Sequence, residues 1–365
     1  MLAQTQTHVE ASTASTNTHT TTTSTSTPSS LLARYLLVSA AVISGALSAI
    51  QGSVNASLGQ LAGYGTLATL ISFSSGLLLL TFIVSIEAKV FAAAGPLLRW
   101  KTRPTLQLLI PGLLGVAYVT ASIFLTLIIG FSLFWVCVVA GQLLGAVIAD
   151  MNGWGVANGA RLSISKARAA ALTLAAGGVA LAMVEQIRNS GSSSASFSSG
   201  IIFGTCIASF FAGVGMLAQS VLNRFAATQL PSRLQATWWS FFNGSIFAAF
   251  LTGIHMAAAT PNHIDSVAPA IARATGEQLS GGVIGVVYIA ASIYIPAILG
   301  SQTYAIALVS GQMIMSLTID SLGLFGAHAV QTGSLKAVGI AVVLIAAVLS
   351  QLATKNKIPE ASAIK

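Results

Sequence analysis

The sequence predicts an all-α, polytopic membrane protein with ten transmembrane helices arranged as two inverted five-helix repeats. Three observations predict it. The 365-residue chain is 55% hydrophobic and only 7% charged, whereas soluble domains carry about 25% charged residues. Apolar runs recur after residue 30, each of roughly 20 residues and so long enough to cross a ~30 Å hydrocarbon layer. Finally, glycines and polar residues of the first half return in register in the second.

Residues 1–32 form a Ser/Thr-rich tail without lysine or arginine. Such a segment cannot bury apolar surface and is expected to be disordered. A transit peptide is the alternative, and the missing arginines count against the mitochondrial form. Hydropathy then places spans at 33–57, 66–88, 107–129, 131–150 and 167–186, giving a first repeat over 33–186. The Ser-rich stretch "NSGSSSASFSSG" marks a connector at 187–199. Spans near 200–223, 234–258, 281–299, 302–320 and 335–353 make the second repeat, 200–353, and 354–365 is a C-terminal tail.

The repeat is testable position by position. Gly45, Gln51, Asn55, Ser72, Phe73 and Gly76 fall on Gly213, Gln219, Asn223, Ser240, Phe241 and Gly244, a displacement of 168 residues. A displacement of 170 lays "GLLGVAYVTAS" (112–122) on "GVIGVVYIAAS" (282–292), and "VVAGQLLGAVIAD" (138–150) on "LVSGQMIMSLTID" (308–320). Composition alone does not align polar residues across four helices. Five spans per repeat is an odd number, so the second copy enters the membrane inverted. With the N-terminus inside, 13 of the 16 lysines and arginines fall in cytoplasmic connectors and only Arg188, Arg273 and Lys336 fall outside, the asymmetry that the positive-inside rule requires. Both termini are therefore expected in the cytoplasm, at the plasma membrane first and an internal membrane second.

Several function classes drop out. The net charge of +8 is spread singly over connectors, unlike the basic patch of a nucleic-acid binder. Cys137 and Cys206 both fall inside predicted spans, which argues against a structural disulfide or a metal site. His255, His263 and His328 lie in or beside predicted outer loops, and His8 and His19 belong to the tail. No catalytic constellation, metal site or cofactor motif is expected.

Depth in the bilayer selects the candidate site. Gln142 and Gln312 fall near the middle of spans 4 and 9, while Tyr118 with Ser122, and Tyr288 with Ser292, fall near the middle of spans 3 and 8. Hydrocarbon supplies no hydrogen-bond partner there, so these side chains must face protein, water or a ligand. Two readings stand: lining of a central cavity, or interhelical glue at about 0.6 kcal/mol per bond. Gln51, Asn55, Gln219 and Asn223 sit nearer span ends, where packing or gating is expected. Asp150 and Asp320 are the repeated carboxylates, each placed to cap the turn that follows or to serve in coupling. Glu87 and Glu185 have no repeat partner and are read as solvated interfacial residues. Ser72-x-x-x-Gly76, Ser240-x-x-x-Gly244 and Gly141-x-x-x-Gly145 are small-residue patterns that permit close helix approach.

The segments "GALSAIQGSVNASLG", "SFSSGLLLL", "GLLGVAYVTAS" and "VVAGQLLGAVIADMNGWG" resemble the repeat of the YdcZ-like inner-membrane proteins, a branch of the drug/metabolite transporter superfamily. The resemblance spans about residues 40–355, and this chain looks like a fused pair of repeats. It implies a ten-helix inverted-repeat fold and solute transport, with export as the direction. The second copy departs through "NRFAATQLPSRL". Small multidrug members of the superfamily use a glutamate in helix 1, a region that here offers Gln51 and Asn55, so a proton-coupled cationic-drug mechanism is disfavoured.

Taken together, the residues point to a secondary transporter of a small neutral or zwitterionic solute. The partners are that solute, the lipid bilayer and a coupling ion of unspecified kind. Gln142, Gln312, Tyr118 and Tyr288 are expected to line the site, supported by Ser122 and Ser292. A membrane-embedded enzyme and a non-transporting scaffold are the alternatives.

Overall fold

Inside hydrocarbon a peptide group can hydrogen-bond only to other peptide groups, so apolar runs of this length satisfy themselves as helices. The computed structural model describes residues 31–90, 106–154, 164–190, 197–230, 232–258, 267–299, 301–326 and 333–355, and these are helical nearly throughout. In order they form α1 (Leu31–Ala62), α2 (Gly65–Val90), α3 (Leu106–Ile129), α4 (Phe131–Met151), α5 (Lys166–Ser190), α6 (Ser199–Gln229), α7 (Arg233–Ala257), α8 (Val267–Ala272), α9 (Gly276–Leu279), α10 (Gly281–Leu299), α11 (Ser301–Leu322) and α12 (Ser334–Lys355). Seven of them, α1 to α6 and α11, are long and apolar enough to cross a membrane, while α10 and α12 contain shorter apolar segments, Gly281–Pro296 and Ser334–Ser350.

Local chemistry sets the helix ends. Gly63 and Gly130 stop α1 and α3 at φ +73° and +76°, a region open to glycine at no steric cost. Ser198 caps α6 by accepting from the Ile201 N–H, and Ser232 caps α7 by accepting from the Leu234 N–H. Helices α1 and α6 run past the ends that hydropathy assigns, to Ala62 and Gln229. The reason is packing: Leu58 and Ala62 are buried, and Ala226 forms a small core with Leu108 and Ala236. The short helices α8 and α9 lie where only a connector was expected.

The two copies pack reciprocally. Helix α1 lies along α11, α4 lies along α6, α2 against α7 and α5 against α12. A Cβ on Gly45 would overlap the Leu308 carbonyl, and a Cβ on its counterpart Gly213 would overlap that of Val138, which is the counterpart of Leu308. Gly141 meets the Phe210 carbonyl in the same way that Gly311 meets that of Val42. Four glycines thus bring two pairs of helices into backbone contact. Each contact has its mirror in the other half.

Three readings of charge need correction. Arg168 and Lys336, counted above as connector residues, are buried at 2% and 1% exposure. They pair with the repeated carboxylates: Arg168 Nη2 lies 2.6 Å from Asp150 Oδ2, and Lys336 Nζ lies 3.3 Å from Asp320 Oδ2. Glu185 is not solvated; its carboxylate accepts from the Gly333 N–H at 2.7 Å and the Lys336 N–H at 2.9 Å, closing the start of α12. Unsatisfied N–H groups at a helix N-terminus attract a carboxylate, which explains its burial without a repeat partner. The Glu87 side chain, residues 1–30, His263, His328 and most of the Ser-rich connector lie outside the described residues.

Candidate functional site

Helices α3 and α10 each carry a glycine on the face turned to the opposite copy, and that sets the site. A Cβ on Gly115 would lie 2.5 Å from Gln219 Nε2, and a Cβ on Gly285 would lie 2.5 Å from Gln51 Nε2. Each glutamine amide therefore rests on a bare α-carbon of the other copy. Between them is a central cavity of about 20 Å³. It is lined by Gln51 and Gln219, Ser72 and Ser240, Phe73 and Phe241, Gly115 and Gly285, Tyr118 and Tyr288, and Val119 and Ile289. Every lining residue has its repeat counterpart in the same lining.

The lining is apolar in most of its area, and its polar side chains are those of Gln51, Gln219, Ser72, Ser240, Tyr118 and Tyr288. Among the described residues the buried Tyr118 hydroxyl has no hydrogen-bond partner. Gln51, Gln219, Tyr118 and Tyr288 are 5–7% exposed. Buried polar groups in proteins are nearly always hydrogen-bonded, which makes the Tyr118 hydroxyl an exception. The volume admits about one water molecule. The Phe73 and Phe241 rings meet at 5.3 Å between centroids, and each would collide with a Cβ on Gly244 or Gly76 of the opposite copy. A larger guest requires these rings to part.

The structure brings Tyr118 and Tyr288 into the site but not Gln142 or Gln312. Gln142 Nε2 lies 2.9 Å from Met216 Sδ on α6, and Gln312 Nε2 donates to Ser48 Oγ on α1 at 3.3 Å, leaving Gln312 Oε1 without a partner. Met216 and Ser48 are themselves repeat counterparts. Because Gly141 and Gly311 press α4 and α11 onto α6 and α1, the residue next in each chain is turned into the interhelical seam. Ser122 and Ser292 bond back to the Val119 and Ile289 carbonyls of their own helices, both at 2.7 Å. In their place stand Gln51 and Gln219, which depth in the span assigned to packing or gating. Phe73 and Phe241 entered the sequence argument only as matched repeat positions, and Ser72 and Ser240 as matched positions and as parts of small-residue packing patterns. The signal that would have found them is the pairing of those matches with glycines on the facing spans.

The remaining candidates are peripheral. Asn55 Nδ2 donates to Ser72 Oγ at 3.3 Å beside the cavity, while among the described residues both amide atoms of buried Asn223 lack a partner. Asp320 does not cap the turn that follows it. Its carboxylate accepts from the Phe131 N–H at 2.9 Å, the Ser132 N–H at 2.8 Å and the Ser132 hydroxyl, which closes the N-terminus of α4 in the other copy. Asp150 is held by Arg168. Among the described residues no group of three metal-binding side chains occurs.

A bundle of apolar helices, built twice over around a shared cavity, is a multi-pass membrane protein of the transporter class. The chain belongs to the family described as "Putative inner membrane exporter, YdcZ", whose model matches residues 36–181 and again residues 204–349. Both copies of the repeat are therefore members of one transport family. No curated protein matches the chain.

Proposed function

We propose that this protein is a secondary transporter that exports a small uncharged or zwitterionic metabolite by alternating access. Ten helices, two inverted sets of five over 33–186 and 200–353, cross the bilayer with both termini in the cytoplasm of a plasma-membrane protein. Inverted repeats place solute sites near the midplane, at the repeat interface. One observation carries the reading: six repeat-related residue pairs line one cavity, and among the described residues the Tyr118 hydroxyl in its wall has no hydrogen-bond partner. In this reading Tyr118, Tyr288, Gln51 and Gln219 bind the solute, and Phe73 with Phe241 close over it. Gln142 and Gln312 hold α4 and α11 to their neighbours. The Asp150–Arg168 and Asp320–Lys336 pairs anchor helix ends.

The experiment is flux into or out of proteoliposomes across a metabolite panel. Gln51→Leu and Gln219→Leu should each lower flux at least tenfold while the detergent-purified protein remains folded. If folded protein moves no member of a broad panel, or moves one with full indifference to these substitutions, the reading fails.

A further inference from the structure

We infer that the central cavity recognises an uncharged cyclic amide, that is, a flat lactam ring bearing N–H and C=O groups side by side. The inference rests on the transport reading above and names the substrate class of that same cavity.

The chemistry of the lining is selective by what it offers. A primary amide presents an N–H donor and a carbonyl acceptor in one plane, and its complement is another amide edge with acceptor and donor in the reverse order. Gln51 and Gln219 bring two such amides to the cavity wall, related by the repeat, each with its Nε2 against a glycine of the opposite copy. In an open-chain trans peptide the N–H and C=O point to opposite sides. A lactam ring holds the amide cis, so both face the same edge. A ring with two such edges offers one to each glutamine.

The rest of the wall agrees. Phe73, Phe241, Tyr118 and Tyr288 surround the cavity with aromatic surface, suited to the faces of a flat ring. None of the lining residues is charged. The carboxylates found in the bundle, buried Asp320 and Glu185 and half-buried Asp150, are each already bound to a cation or to backbone N–H groups outside the cavity. An ammonium or a carboxylate entering here would leave water without an opposite charge to meet it, and burying an unpaired charge is strongly unfavourable. The aromatic rings alone could hold a quaternary ammonium, but that mode leaves both glutamine amides unused.

The test is transport of labelled uracil by the full chain in proteoliposomes, with unlabelled competitors. Diketopiperazine, a ring with two cis-amide edges, should compete. 1,3-Dimethyluracil, flat and aromatic but lacking both N–H donors, should compete at least tenfold less well. Glycylglycine and tetramethylammonium should not compete at all. Gln51→Leu and Gln219→Leu should each reduce uracil flux at least tenfold, and Gln51→Asn, which keeps the amide on a shorter arm, should retain more flux than Gln51→Leu. Thermal unfolding of each variant in detergent shows whether it is folded. If labelled glycylglycine is carried in a Gln51-dependent manner and lactams are not, the transport reading stands and the lactam inference is overturned; carriage of tetramethylammonium in place of lactams overturns both. Equal competition by uracil and its dimethyl derivative also overturns it. If nothing in the panel moves through folded protein, both fall together.

Discussion

Gln51 and Gln219 exchange supports across the repeat: each amide lies over a glycine of the opposite copy, Gln51 over Gly285 and Gln219 over Gly115. The relationship joins α1 to α10 and α6 to α3 at the wall of one cavity. It makes the site a property of the paired halves, since neither copy alone supplies both the amide and its platform.

Gly115→Ala and Gly285→Ala should therefore separate function from stability. The added methyl meets the far end of a flexible side chain, which can swing aside. Unfolding in detergent should change little, while solute flux falls by at least tenfold because the amide is displaced. Paired measurement of melting temperature and initial flux decides it.

Gly45→Ala and Gly311→Ala should behave in the opposite way. There the methyl meets the backbone carbonyls of Leu308 and Val42, and relief requires α1 and α11 to separate. Overpacking of this kind costs about 1–3 kcal/mol. Chemical denaturation in detergent should report that loss before any flux assay is interpreted.

Asp320→Ala should be among the most destabilising single changes in the chain. It strands buried Lys336 and uncaps the first N–H groups of α4. Breaking one partner of a buried ion pair costs about 3–5 kcal/mol. Adding Lys336→Met to Asp320→Ala should recover part of the loss, and a double-mutant cycle on unfolding free energies measures how much.

Gln142→Leu and Gln312→Leu should each cost about 0.6 kcal/mol, the worth of an interhelical bond in a membrane, and leave the KM of any transported solute unchanged. A changed KM would return these glutamines to the binding site.

Reporter fusions should place both chain ends in the cytoplasm. With Arg168 and Lys336 withdrawn into buried pairs, twelve cytoplasmic basic residues remain against two outside, taken from the 16 in the sequence. The orienting bias thus survives the correction. Ends on opposite faces would break the ten-span, inverted arrangement.

The sequence by itself determined the helical class, the helix ends to within a few residues at most positions, and the fact of a repeat. Each is written in local terms: run length against bilayer thickness, glycine at turns, and residue identity at fixed displacement. It also brought Tyr118 and Tyr288 forward, because depth along a span is countable. Which glutamine faces the cavity was decided only by tertiary structure. Facing depends on how helices rotate about their axes, and that rotation is fixed by glycines meeting carbonyls from the other copy: Gly141 and Gly311 turn Gln142 and Gln312 into the seams, while Gly115 and Gly285 leave room for Gln219 and Gln51. The burial of Arg168, Lys336 and Glu185 was hidden for the same reason. A charge near a span end reads as solvated until the helix that covers it, and the N–H groups or carboxylate that receive it, are known in space.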